Sequence, residues 1–152
     1  MKLAEALSLR ADAQKRVAQL RQRLIWNAKV QEGDAPSEEP EQLLQEVERV
    51  IAECLSLIRR INRTNSLSEI EPGVTLADAL AQREILAQQQ ALYRDLAQAA
   101  TVTQERVSRS EIRFRATVSV TAIQGRADTL ARAYRALDVR IQEANWRIDL
   151  VE

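Results

Sequence analysis

The chain has 152 residues, a length that suits one domain, and its 22 Lys and Arg balance 22 Asp and Glu, so no global field recruits nucleic acid or an acidic membrane. It contains no His, one Cys and five aromatic residues, which removes the usual nucleophile, general-base and zinc arrangements and an internal disulfide, and leaves little for base stacking. No enzyme activity, cofactor or metal site is therefore expected.

Three Gly and three Pro are the only strong punctuation, and apolar residues recur three and four apart. The fold class is read as mainly α: an elongated antiparallel four-helix bundle with a long coiled-coil-like hairpin and a small β element near 112–120. The chain from 1 to 152 is expected to be a single helical domain. Its parts are a helical hairpin over 2–62, a turn region over 63–74, a helix over 75–101, an extended segment or strand over 110–120 and a helix over 121–148.

The first helix carries Leu3, Leu7, Val17, Leu20, Leu24 and Ala28 on one face, with Ala13 between the two leucine groups. It is expected to run to about residue 31, where Gly33 and the GDAPSEEPE stretch end it. Pro40 fits only the first turn of the next helix. That second helix, over 39–62, shows the cleanest stripe: Leu43, Leu44, Val47, Val50, Ile51, Cys54, Leu57, Ile58 and Ile61. Cys54 is read there as core filler, not as a nucleophile.

Charge makes the pairing of these helices specific. Between positions 10 and 29 the basic residues Arg10, Lys15, Arg16, Arg21, Arg23 and Lys29 stand against Asp12 alone. Glu32, Asp34, Glu38, Glu39, Glu41, Glu46, Glu48 and Glu53 stand in the following stretch against Arg49 alone. A basic and an acidic helix joined by a short connection should flank one apolar seam as antiparallel neighbours.

Asn62, Thr64, Asn65 and Ser66 are expected to close the second helix, and EPGV at 71–74 signals a turn. Thr75, with Asp78 three residues on, makes a capping-box-like start for the third helix, whose stripe reads Leu76, Leu80, Leu86, Leu92, Leu96 and Ala99. From Ile112 to Val120 the period changes to two. Ile112, Phe114, Ala116, Val118 and Val120 alternate with polar residues, which predicts a half-buried strand that needs a partner, either near Ile70 to Leu76 or in another subunit. The last helix carries Ile123, Ala127, Leu130, Tyr134, Leu137, Ile141 and Ile148; Gly125 in its first turns is read as a mark of close backbone approach. Trp26 and Trp146 both lie near helix ends, which would allow them to meet.

Two groups of polar residues are candidates for contact. Asn27, Asn62, Arg63, Asn65 and Asn145 border apolar stripes and could line a polar pocket, although closing helix ends is the simpler role. Arg106, Arg109, Arg113 and Arg115 are the candidate phosphate or partner contact, and Ile112, Phe114, Val118 and Val120 the candidate oligomer strand. The acidic connection lacks the spacing and central Gly of a calcium loop.

The strings NAKVQEG at 27–33, INRTN at 61–65, TLADALAQR at 75–83, SRSEIRF at 108–114 and LDVRIQEANW at 137–146 resemble those of a small bacterial family of uncharacterised proteins, often labelled septicolysin or a domain of unknown function. The resemblance covers nearly the whole chain. It implies an elongated helical protein of unknown role, and its label implies a cytolytic toxin. The residues themselves show no export signal, no span of about 18 apolar residues and few interfacial aromatics. The expectation is thus a cytoplasmic, non-enzymatic scaffold or protein-interaction module that forms a homo-oligomer. A nucleic-acid-binding arm using the basic first helix stands second and a membrane-active cytolysin third, so neither nucleic acid nor membrane is the expected partner.

Overall fold

A computed structural model describes residues 1–102 and 113–152. They form α1 (Leu3–Trp26), α2 (Pro40–Leu67), β1 (Glu69–Glu71), β2 (Val74–Thr75), α3 (Leu76–Ala100) and α4 (Val120–Arg147). The protein is mainly α, with closely packed helix pairs and one small antiparallel sheet. By packing, the chain divides into two compact units, Met1–Thr75 with Gln142–Glu152, and Leu76–Ile141.

In the first unit α1 and α2 form an antiparallel hairpin around Leu20, Leu43, Val47 and Val50, with Ala13, Val17 and Leu24 packed against them. The Glu5 carboxylate accepts the Lys2 backbone N–H at 2.7 Å and so closes one end of α1. The other end comes earlier than the apolar pattern implies. Asn27 caps it: its Nδ2 donates to the Arg23 carbonyl at 2.9 Å, and its Oδ1 accepts the Glu38 N–H at 3.0 Å from across the connection. The chain therefore leaves the helix before Gly33, which turns with φ of 89°.

Pro40 occupies the first turn of α2, where its missing N–H costs nothing. The helix then runs five residues past the expected stop, because the hydroxyls of Thr64 and Ser66 donate back to the carbonyls of Arg60 and Asn62, at 2.8 and 3.0 Å, and leave the helical ladder intact. Asn62, Arg63 and Asn65 accordingly lie within α2.

The C-terminal segment joins this unit. Leu3 N–H donates to the Ile148 carbonyl and Leu150 N–H to the Met1 carbonyl, both at 2.9 Å, so that Lys2 and Asp149 pair as an antiparallel bridge. Lys2 Nζ also meets Asp149 Oδ1 at 2.9 Å and the Arg147 carbonyl at 3.0 Å. Trp146 thus sits by the start of α1 and Trp26 at its end. A 24-residue helix separates them, roughly 36 Å at 1.5 Å per residue. They do not meet; both are exposed, at 65% and 72%.

The β element lies at Glu69–Thr75. Glu69 pairs with Thr75 and Glu71 with Val74, and Pro72 followed by Gly73 at φ of 80° is the type II arrangement of proline then left-handed glycine. The strand expected over 112–120 is absent where the chain is described. Residues 113–119 join no ladder, Val120 opens α4, and Ile112 lies outside the described residues. The last of the alternating polar residues serves helix initiation: Ser119 Oγ accepts the Ala122 N–H at 3.3 Å, as an N-cap hydroxyl does.

In the second unit α3 and α4 run antiparallel, since Arg83 meets Asp138 at 2.5 Å while Arg126 lies 5.8 Å over the Tyr93 ring. The buried line of α4 contains Ile123, Ala127, Leu137 and Ile141, as its spacing predicts. Gly125 marks no close approach, because a Cβ there would meet nothing within 4 Å.

Candidate interaction surface

The polar candidates do not form one site. Asn27 is committed to the α1–α2 connection, at the opposite end of the hairpin from Arg63, whose guanidinium donates to the Glu152 carbonyl at 2.9 Å. Asn145 is buried, whereas Asn62 is exposed. Arg113 and Arg115 are exposed in the irregular stretch before α4, beside Phe114 at 84% exposure; Arg106 and Arg109 lie outside the described residues. Among the described residues no group of three or more His, Cys, Asp or Glu could hold a metal, and no helix is long and apolar enough to cross a membrane.

Two basic residues of α1 pair across the hairpin, one with α2 and one with the connection before it. Arg16 pairs with Glu46 and Arg23 with Glu38, while Lys15 stands 3.9 Å from Asp12. These contacts are the charged flank of the apolar seam that the unequal charge of the two helices implied. The Arg23 hydrogen bond holds the Glu38 carboxyl below its ordinary range, and Arg16 does the same to Glu46. A carboxylate whose folded-state pKa is depressed stabilises the fold above its unfolded value, and that stability is lost as pH falls through the folded value. Below about pH 4, the ordinary Glu range, the wild-type melting temperature should therefore fall more steeply than that of an E38Q/E46Q variant. Parallel slopes in a thermal melt series would refute the coupling.

What sequence patterning missed is a second apolar line on two helices. On α2 the single expected stripe splits. Leu43, Val47, Val50 and Ile61 are buried, but Leu44 and Ile51 are 42% and 50% exposed, in line with Leu55, outside the expected stripe, at 45%. The signal was present in the adjacent pairs Leu43-Leu44 and Val50-Ile51, since neighbours on a helix stand about 100° apart and cannot share one narrow line. On α3 the expected stripe is corrected outright over its second half. Ala97 is buried, while Leu92 and Leu96, with Ile85, are 64%, 38% and 51% exposed. About 100° per residue places those three opposite the buried line of Leu76, Ala79 and Ala97. Both outward lines have the same spacing, seven residues and then four.

A shallow groove of about 710 Å³ lies beside the outward line of α2, lined by Ala52, Leu55, Ser56, Arg59, Arg60, Arg63 and Glu152. Its character is that of an apolar strip edged by guanidinium groups, which suits contact with another surface.

Residues 10–150 match the family described as "Family of unknown function (DUF6847)". A crystal structure of a functionally unknown conserved protein from Corynebacterium diphtheriae is 49% identical to this chain, with a TM-score of 0.94 over 99% of each chain. No curated protein matches. The resemblance to an uncharacterised family is thus sound, while neither match carries a septicolysin label.

Proposed function

We propose that this chain, which belongs to the DUF6847 family of unknown function, is a non-enzymatic helical interaction module that self-associates. The observation carrying this reading is the pair of outward apolar lines, Leu44, Ile51 and Leu55 on α2 and Ile85, Leu92 and Leu96 on α3. Scattered exposed leucines need no explanation, but lines at heptad-like spacing are the form in which helices present a face to another helix. The reading places nucleic acid second, because Arg16 and Arg23, two of the five basic residues of α1, are paired with Glu46 and Glu38.

Sedimentation velocity at micromolar concentration tests it. A species of at least dimer mass, shifting to smaller mass on dilution, is expected. A strict monomer at those concentrations would dispose of the reading.

A further inference from the structure

The charges that edge the outward line of α2 specify how a second copy would dock. At about 100° per residue Leu44, Ile51, Leu55 and the half-buried Ile58 fall within an arc of about 60°. Glu41, Glu48, Arg59 and Arg63 all fall on one flank of that arc, the flank turned away from the Arg16–Glu46 and Arg23–Glu38 pairs. The acids occupy its N-terminal half and the arginines its C-terminal half.

We infer that two copies of this chain pair α2 against α2 in antiparallel fashion about a two-fold axis passing between the levels of Ile51 and Leu55. The inference rests on the self-association reading above and names its surface. Such an axis places Ile51 of one copy opposite Leu55 of the other and keeps the charged flanks of both copies on the same side. Counting from the axis, Glu48 then comes level with Arg59 of the second copy to within one residue, and Glu41 with Arg63 to within two. Symmetry repeats both pairs. A parallel two-fold pair would instead carry the two charged flanks to opposite sides of the seam, where Glu48 and Arg59 of different copies could not meet. Glu48 and Arg59 are exposed and, among the described residues, engage no ion pair, so both are available to the contact. The apolar line on α3, edged by Gln88 and Gln89, offers no comparable charge pattern and therefore specifies no partner.

Charge reversal in the full chain separates the surface from the oligomeric state. Sedimentation equilibrium should show that E48R and R59E each weaken the dimer by about tenfold or more, since each creates two like-charge contacts. The E48R/R59E double variant should recover affinity to within a few-fold of wild type, the signature of direct coupling. Unchanged helical circular dichroism keeps all three variants interpretable, because both sites are exposed. Singles that dimerise like wild type, or a double variant no better than the singles, would overturn this surface while leaving self-association standing. A monomeric wild type would overturn both.

Discussion

Leu20→Ala should lower the stability of the protein by about 2–5 kcal/mol, the range for deleting a fully buried leucine side chain. Leu20 has no exposed surface and sits among Leu43, Val47 and Val50 at the centre of the α1–α2 seam. Helices on both sides fix its surroundings, so the cavity cannot collapse easily, and the cost should lie toward the upper part of that range. For a chain of this size the corresponding drop in melting temperature is roughly 5–15 °C. Leu44→Ala is the matched control. Leu44 lies 42% exposed on the outward line of the same helix, so its truncation should cost the isolated chain under about 1 kcal/mol while weakening association. Thermal melts at low and high protein concentration distinguish the two. A Leu20 variant loses stability at every concentration, whereas a Leu44 variant loses it where the assembled form dominates. Equal losses from the two variants at low concentration would contradict the division of α2 into an inner and an outer face.

That division shows what was legible in the sequence and what was not. Helical spacing located all four helices, and the opposed charges of the first two foretold the contacts of Arg16 with Glu46 and Arg23 with Glu38. Spacing alone could not say how many neighbours a helix has. Leu44 and Ile51 fit a helical stripe as well as Leu43 and Val50 do, and only the burial of one line and the exposure of the other tells them apart. On α3 the leucines after Leu76 pointed to the wrong face, because the buried line continues through small residues, Ala79 and Ala97, that give a weak hydropathy signal. The period-two stretch before α4 misled for a related reason. Alternation marks a strand only when a second strand is available, and the local hydroxyl of Ser119 provided a helix start instead. Asn27 and Thr64 were legible as helix-end residues, but the residue at which each helix stops depends on which carbonyl each side chain bonds.

Thr64 is where such a bond does the most. It is fully buried near the end of α2, donating its hydroxyl to the Arg60 carbonyl at 2.8 Å and accepting the Val151 N–H at 2.9 Å. One side chain thus keeps the last turns of α2 helical and ties down the segment after α4. Arg60 Nε reaches the Val151 carbonyl at 3.3 Å and Arg63 the Glu152 carbonyl at 2.9 Å, so these last two residues are held through their backbone. Thr64→Val preserves the shape and removes the acceptor, leaving the Val151 N–H without its partner. The expected cost is about 1–3 kcal/mol, the penalty for orphaning a polar group at a buried site. Thr64→Ser keeps the hydroxyl and loses a methyl, at about 1 kcal/mol. Denaturant melts alone could confuse those two losses. Hydrogen exchange at the Val151 amide does not: protection should persist in the Ser variant and collapse in the Val variant. If both variants protected that amide equally, the Arg60 and Arg63 contacts would suffice to hold the segment, and Thr64 would matter to α2 only.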